Sequence, residues 1–123
     1  MLAANDAIAT IAVKDMKKAA KFYEETLGLQ HGESRPGAAA YSSGSSKLFI
    51  YESQYAGTNQ ATAVTWVVDD IEAVVRDLAA KGVRFEHYDF PGTTRKGDIH
   101  IHGDVKNAWF KDPDGNILSV VSR

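Results

Sequence analysis

Ala7-Ile8-Ala9-Thr10-Ile11-Ala12-Val13-Lys14-Asp15-Met16 and, further along, Ala63-Val64-Thr65-Trp66-Val67-Val68-Asp69-Asp70-Ile71 carry one signal twice. Each begins as a short run rich in β-branched residues, the mark of a strand. Each then places an aspartate where its carboxylate can accept from the free N–H groups of a helix start. After Asp15 the residues Met16, Ala19, Ala20, Tyr23 and Leu27 recur at helical spacing, and after Asp70 so do Ile71, Val74, Val75, Leu78 and Ala79. Gly28-Leu29 closes the first helix and Gly82-Val83 the second, one residue shorter.

Working outward, each helix is followed by strand-like stretches separated by turn residues. In the first half these are 29–35, 38–42 and 47–52, and in the second 83–90, 99–110 and 116–121. The expectation is a single domain of α+β class made of two βαβββ repeats. Repeat one covers about 6–52, a Gly-, Thr-, Asn- and Gln-bearing linker 53–62, and repeat two about 63–122. In each repeat the helix covers one face of a sheet and leaves the other bare. Two such units side by side form a curved mixed sheet with a concave ligand cleft and the helices on the outside.

Composition narrows the function classes. In a chain of 123 residues, 44% hydrophobic and 24% charged residues suffice for a core without staples. Cysteine is absent, which removes disulfides, thiolate metal sites and cysteine nucleophiles. Net charge is −2, and the basic residues Lys14, Lys17, Lys18 and Lys21 read as the solvated face of a helix. No nucleic-acid or membrane partner is expected. Met1 to Asp6 carries no basic and apolar leader pattern, so a soluble cytoplasmic protein is the default expectation.

Near the end stands Ala108-Trp109-Phe110-Lys111-Asp112-Pro113-Asp114-Gly115-Asn116-Ile117-Leu118, which locally reads as strand, tight turn and strand. Combined with Ile11 to Met16, Phe22-Tyr23 and Leu27-Gly28-Leu29, it resembles the vicinal-oxygen-chelate superfamily. That superfamily includes glyoxalase I, extradiol dioxygenases, fosfomycin-resistance enzymes and bleomycin-resistance proteins. The resemblance runs from about Ala7 to Val121 and specifies the fold far better than the activity.

The resemblance implies a test. Catalytic members hold a divalent cation with His and Glu from equivalent strands of the two halves, because a Lewis acid must chelate adjacent substrate oxygens. The matching positions here are Ile8, Ala63, Ser119 and Ile50, or Phe49 if the register slips by one. None is a useful ligand, so no metal and no cofactor are expected. The chain is then similar to the bleomycin-resistance branch, typically homodimers that sequester a small molecule. By strand alternation the cleft would be lined by Ile8, Thr10, Ile50, Thr65 and Ser119, with Glu52 at its mouth.

Other residues could carry chemistry. His100 and His102 would face the same way on a strand, and with a third group such as His31, His87, Asp98 or Asp104 they could hold a metal. That arrangement defines the alternative reading, a glyoxalase-related lyase or isomerase, or a dioxygenase-like metalloenzyme, with unusual ligands. Without a third ligand they are histidines beside the cleft that could contact its occupant. Trp66 belongs on the helix-packed face by parity with Val64 and Val68, whereas Trp109 is either core or a platform for a planar ligand. Asp112 and Asp114 read as turn residues, and 91–97 as a flexible flap. The expected ligand-binding set is thus Ile8, Thr10, Ile50, Glu52, Thr65, His100, His102, Trp109 and Ser119, with no catalytic residue.

Overall fold

The computed structural model describes residues 1–122, with two helices and ten strands. Strand β1 (Ala9–Val13) leads into helix α1 (Met16–Ala20), and strands β2 (Gln30–Arg35), β3 (Ala38–Ser43) and β4 (Ser46–Glu52) follow. The second unit runs through β5 (Thr62–Val67), α2 (Ile71–Ala80), β6 (Phe85–Glu86), β7 (Thr94–Lys96), β8 (Ile99–His102), β9 (Val105–Lys111) and β10 (Ile117–Ser122). Both helices start at the expected caps. Asp15 accepts from the amides of Lys17 and Lys18, and Asp70 accepts from that of Ala73.

The two sheets have the same plan. The first is ordered β1-β4-β3-β2, the second β5-β10-β9-β8 with β7 added outside. In each, the first and last strands of the unit pair in parallel and the others antiparallel. This topology makes β8, and not the stretch 83–90, the counterpart of β2. Of 83–90 only Phe85 and Glu86 form a strand, and the expected strand 99–110 splits at a turn between His102 and Val105. The expected flap at 91–97 also changes character, since Thr94–Lys96 pairs with Ile99–Ile101 and widens the sheet.

Helix α1 does not stay regular. From Lys21 to Thr26 it widens into a π-turn, with Leu27 N–H donating to Phe22 O. Phe22 and Tyr23, adjacent in sequence, both reach the core. One core serves both units: Ile11, Val13, Tyr41 and Ile50 join Ile71, Phe110 and Leu118. Trp66 packs against it on the helix side, as parity predicts, and its indole N–H donates to Ser43 Oγ at 2.8 Å across the units.

The Asp112 turn ties the halves together and is more than a hairpin. Asp112 is buried and accepts from Tyr23 Oη at 2.8 Å, Asn116 Nδ2 at 2.8 Å, and the amides of Asp114 and Asn116. Asn116 Nδ2 also reaches Ala12 O at 2.8 Å, and the Lys14 amide donates to Asp114 at 3.1 Å. Burial, then the neighbouring Asp112 carboxylate, push the Tyr23 phenol far above its ordinary pKa. The segment joining the units docks on this turn through Gly57, where a Cβ would run into the carbonyl oxygen of Asp114. Among the described residues, no helix is long and apolar enough to cross a membrane.

Candidate functional site

Alternation about the buried residues decides which side chains face away from the helices. In β1, Ile11 and Val13 are buried, which leaves Thr10 and Ala12 on the open face. In β4 the buried pair is Leu48 and Ile50, so Phe49 and Tyr51 face outward, 36% and 40% exposed. Ile50 is 0% exposed and corrects the expected cleft lining: the register lies one residue off. Glu52 shares Ile50's side of the strand and lies at its exposed end, in a surface hollow with Lys14, Ser53 and Gln54. It therefore stands away from the open face, contrary to the expectation of a carboxylate at the cleft mouth.

The remaining expected residues lie on the open side of their strands, although Ser119 and His100 are buried there. Ile8 precedes β1 and is 53% exposed, and Thr10 lines a hollow with Tyr51, Tyr55, Ala63 and Ile117. Thr65 and Ser119 are cross-strand partners whose hydroxyls bond at 2.8 Å. Ser119 is also opposite Trp109, and Asn107 is opposite His100, so Trp109, His100 and His102 share this face. His31 lies elsewhere, against Tyr41 on the helix side.

At the outer end of this face is an aromatic corner that sequence reasoning did not assemble. Strands β6 and β8 both pair with β9, end to end along the same edge. The chain between them leaves that edge before it returns through β7, and it brings Tyr88 and Phe90 to Trp109. Tyr88 and Phe90 rings lie 5.4 and 5.6 Å from the Trp109 ring, and His100 meets the same indole edge-on at 4.9 Å. The Trp109 indole N–H is anchored at Thr62 Oγ1, 3.1 Å away. The one signal for this corner was the alternation Tyr88-Asp89-Phe90 before the Pro91-Gly92 turn.

The histidines have fixed roles here. His100 is 2% exposed, and its Nε2 accepts the Tyr88 amide proton at 2.9 Å. A ring accepting at Nε2 carries its hydrogen on Nδ1, and that atom is buried with no hydrogen-bond partner among the described residues. His102 donates from Nδ1 to Gly92 O at 3.1 Å. His87 is paired to Asp98 at 2.7 Å, with Arg95 close by.

The residues present do not fit the divalent cation that the family resemblance implies. At the four matching positions stand Ile8, Phe49 (on the open face where Ile50 was expected), Ala63, and a Ser119 hydroxyl already bonded to Thr65. Among the described residues, no three His, Asp or Glu side chains converge as a metal would need. Chemically, the open face offers aliphatic and aromatic surface and the exposed Thr65, with Ser119 and the His100 imidazole buried at 1% and 2% exposure.

A family model for the Glyoxalase/Bleomycin resistance protein/Dioxygenase superfamily matches residues 6–120. Among solved structures, the chain is similar to the lactoylglutathione lyase of Agrobacterium tumefaciens, at 16% identity, 96% of this chain and 92% of that one, with a TM-score of 0.72. It is also similar to TnmS3, an antibiotic binding protein from Streptomyces sp. CB03234 (21% identity, 97% of each chain, TM-score 0.65). A third is the fosfomycin resistance protein FosX from Listeria monocytogenes (13% identity, 97% and 93%, TM-score 0.73). At these identities the likeness carries the fold alone.

Proposed function

The chain belongs to the glyoxalase/bleomycin resistance protein/dioxygenase superfamily, and from that premise we propose that it binds a small, partly apolar or aromatic molecule on its open face, without a metal. The carrying observation is the chemistry of that face. Where a chelating member needs imidazoles and carboxylates, this chain has aliphatic, aromatic and hydroxyl groups, beside the Trp109 corner. Apolar and aromatic surface with a few fixed polar atoms suits a flat organic ligand. The antibiotic binding protein among the structural neighbours fits the same reading.

The binding cleft belongs, in this proposal, to a homodimer. Ile8, Phe49, Tyr51 and Val67 are large apolar side chains left 53%, 36%, 40% and 83% exposed, and apolar side chains bared together on a sheet face suit a cover by a second copy. A metalloenzyme built on His100 and His102 has less support, because Nε2 of the first is engaged by a backbone amide and Nδ1 of the second by a carbonyl.

A thermal-shift screen of planar aromatic antibiotics, run with and without EDTA, tests the reading. Saturable stabilisation by some compounds, unchanged by EDTA and lost in Trp109→Ala, is expected. Stabilisation that depends on an added divalent metal would overturn it. Sedimentation equilibrium should give twice the chain mass; a monomer at high concentration would remove the dimer from the proposal.

A further inference from the structure

His100 Nδ1 is the one fully buried side-chain polar atom without a partner among the described residues. A buried donor left unmet is costly, so folded proteins rarely keep one without a use. Its surroundings narrow the use. Nε2 is held by the Tyr88 amide, which fixes the hydrogen on Nδ1 and makes that atom a donor. A donor recognises an acceptor atom and repels a cation.

The rings around His100 are those of Tyr88, Trp109 and His87. Tyr88 and Trp109 pack beside it, and Phe90 leans on both of those rings while 48% exposed. Phe90 stands on a stretch with no strand or helix, between β6 and the turn that leads to β7. Its ring meets that of Trp109 tilted at 50°, with centroids 5.6 Å apart, a contact that another flat ring of similar size could make. We infer that this corner is a subsite for a planar aromatic ring bearing a hydrogen-bond acceptor such as a ring carbonyl. The ring takes the place of Phe90 on Trp109, and the carbonyl accepts from His100 Nδ1. The inference rests on the open face being the binding surface and adds the chemical class that its second unit selects.

Two bicyclic probes of equal size separate the contributions: chromone-2-carboxylate, which has a ring carbonyl, and 2-naphthoate, which has none. Both are titrated against Trp66→Phe protein, in which Trp109 is the sole tryptophan. Chromone-2-carboxylate is expected to quench Trp109 and bind about tenfold more tightly, the scale of one hydrogen bond to a preorganised donor. His100→Phe should abolish that preference while leaving 2-naphthoate within about twofold, and Phe90→Ala should tighten both probes. Nitrogen-15 spectra of the His100 imidazole in the unsubstituted protein give a readout that does not depend on how the variant folds. They should report the Nδ1–H tautomer and a shift at Nδ1 on adding chromone-2-carboxylate only.

Equal affinity for the two probes, or a preference that survives His100→Phe, overturns the subsite and leaves open-face binding standing. Failure of both probes while antibiotics still stabilise the protein through Trp109 overturns the subsite alone. Failure of the probes and the antibiotic screen together overturns both.

Discussion

Asp112 and His100 are both buried polar side chains of the second unit, 5% and 2% exposed, and the protein treats them in opposite ways. Asp112 is met by two side-chain and two backbone donors, all within 3.0 Å. Its partners come from both halves, so the turn works as a clasp between them. His100 is met on one nitrogen only. A satisfied buried network specifies structure, whereas a half-satisfied group is tolerated where something else uses it. The difference separates what holds this fold together from what the fold holds out to a ligand.

Removing the clasp should have the largest effect. Asp112→Ala leaves four donors unmet and is expected to cost about 3–4 kcal/mol in urea unfolding. A loss under about 1 kcal/mol would collapse the contrast. Gly57→Ala, which forces the connecting segment off the same turn, should cost about 2 kcal/mol.

Tyr23→Phe comes next, at about 1 kcal/mol near neutral pH, and it carries a pH signature. The phenol's pKa is raised in the folded state by burial and by Asp112, while the unfolded chain ionises near the ordinary 10.0. Its stabilisation is therefore whole below about pH 10 and drains away as pH climbs toward the folded value. Thermal melts above that pH should fall less steeply for Tyr23→Phe than for the parent. Some slope will remain, because burial and the hydrogen bond to Glu24 raise Tyr41 in the same direction. Equal slopes would mean that the phenol is not clasped as described.

The smallest stability effect belongs to the other region. His100→Phe gives up the bond from Tyr88 but also removes an unmet donor, so the two effects should cancel to within about 1 kcal/mol. A loss as large as that of Asp112→Ala would make His100 a structural residue.

Much of the fold could be read from the paired capping aspartates, the helical spacing after them and the strands of the first half. Their signals are local, and Asp15 and Asp70 cap as read. The second half was harder. Apolar alternation runs on from Ile99 to Phe110 with only Gly103-Asp104 to mark the turn, and pairing along a shared edge of β9 leaves no periodic trace. The open-face set suffered from the same limit of alternation. It separates the two faces of a strand but cannot say which is covered, and a one-residue slip put Ile50 on the wrong side. Asp112 read as a turn residue because its bond to Tyr23 joins residues 89 positions apart, a relation invisible to spacing.

The most direct test of the central claim is metal content. Protein purified without a chelating tag would be exposed in turn to nickel, zinc, manganese and iron(II), desalted and analysed for metal. The account predicts no metal retained near one per chain and ligand-induced stabilisation that persists in EDTA. One metal per chain, lost on His100→Ala or His102→Ala, would contradict it and put the metalloenzyme reading first.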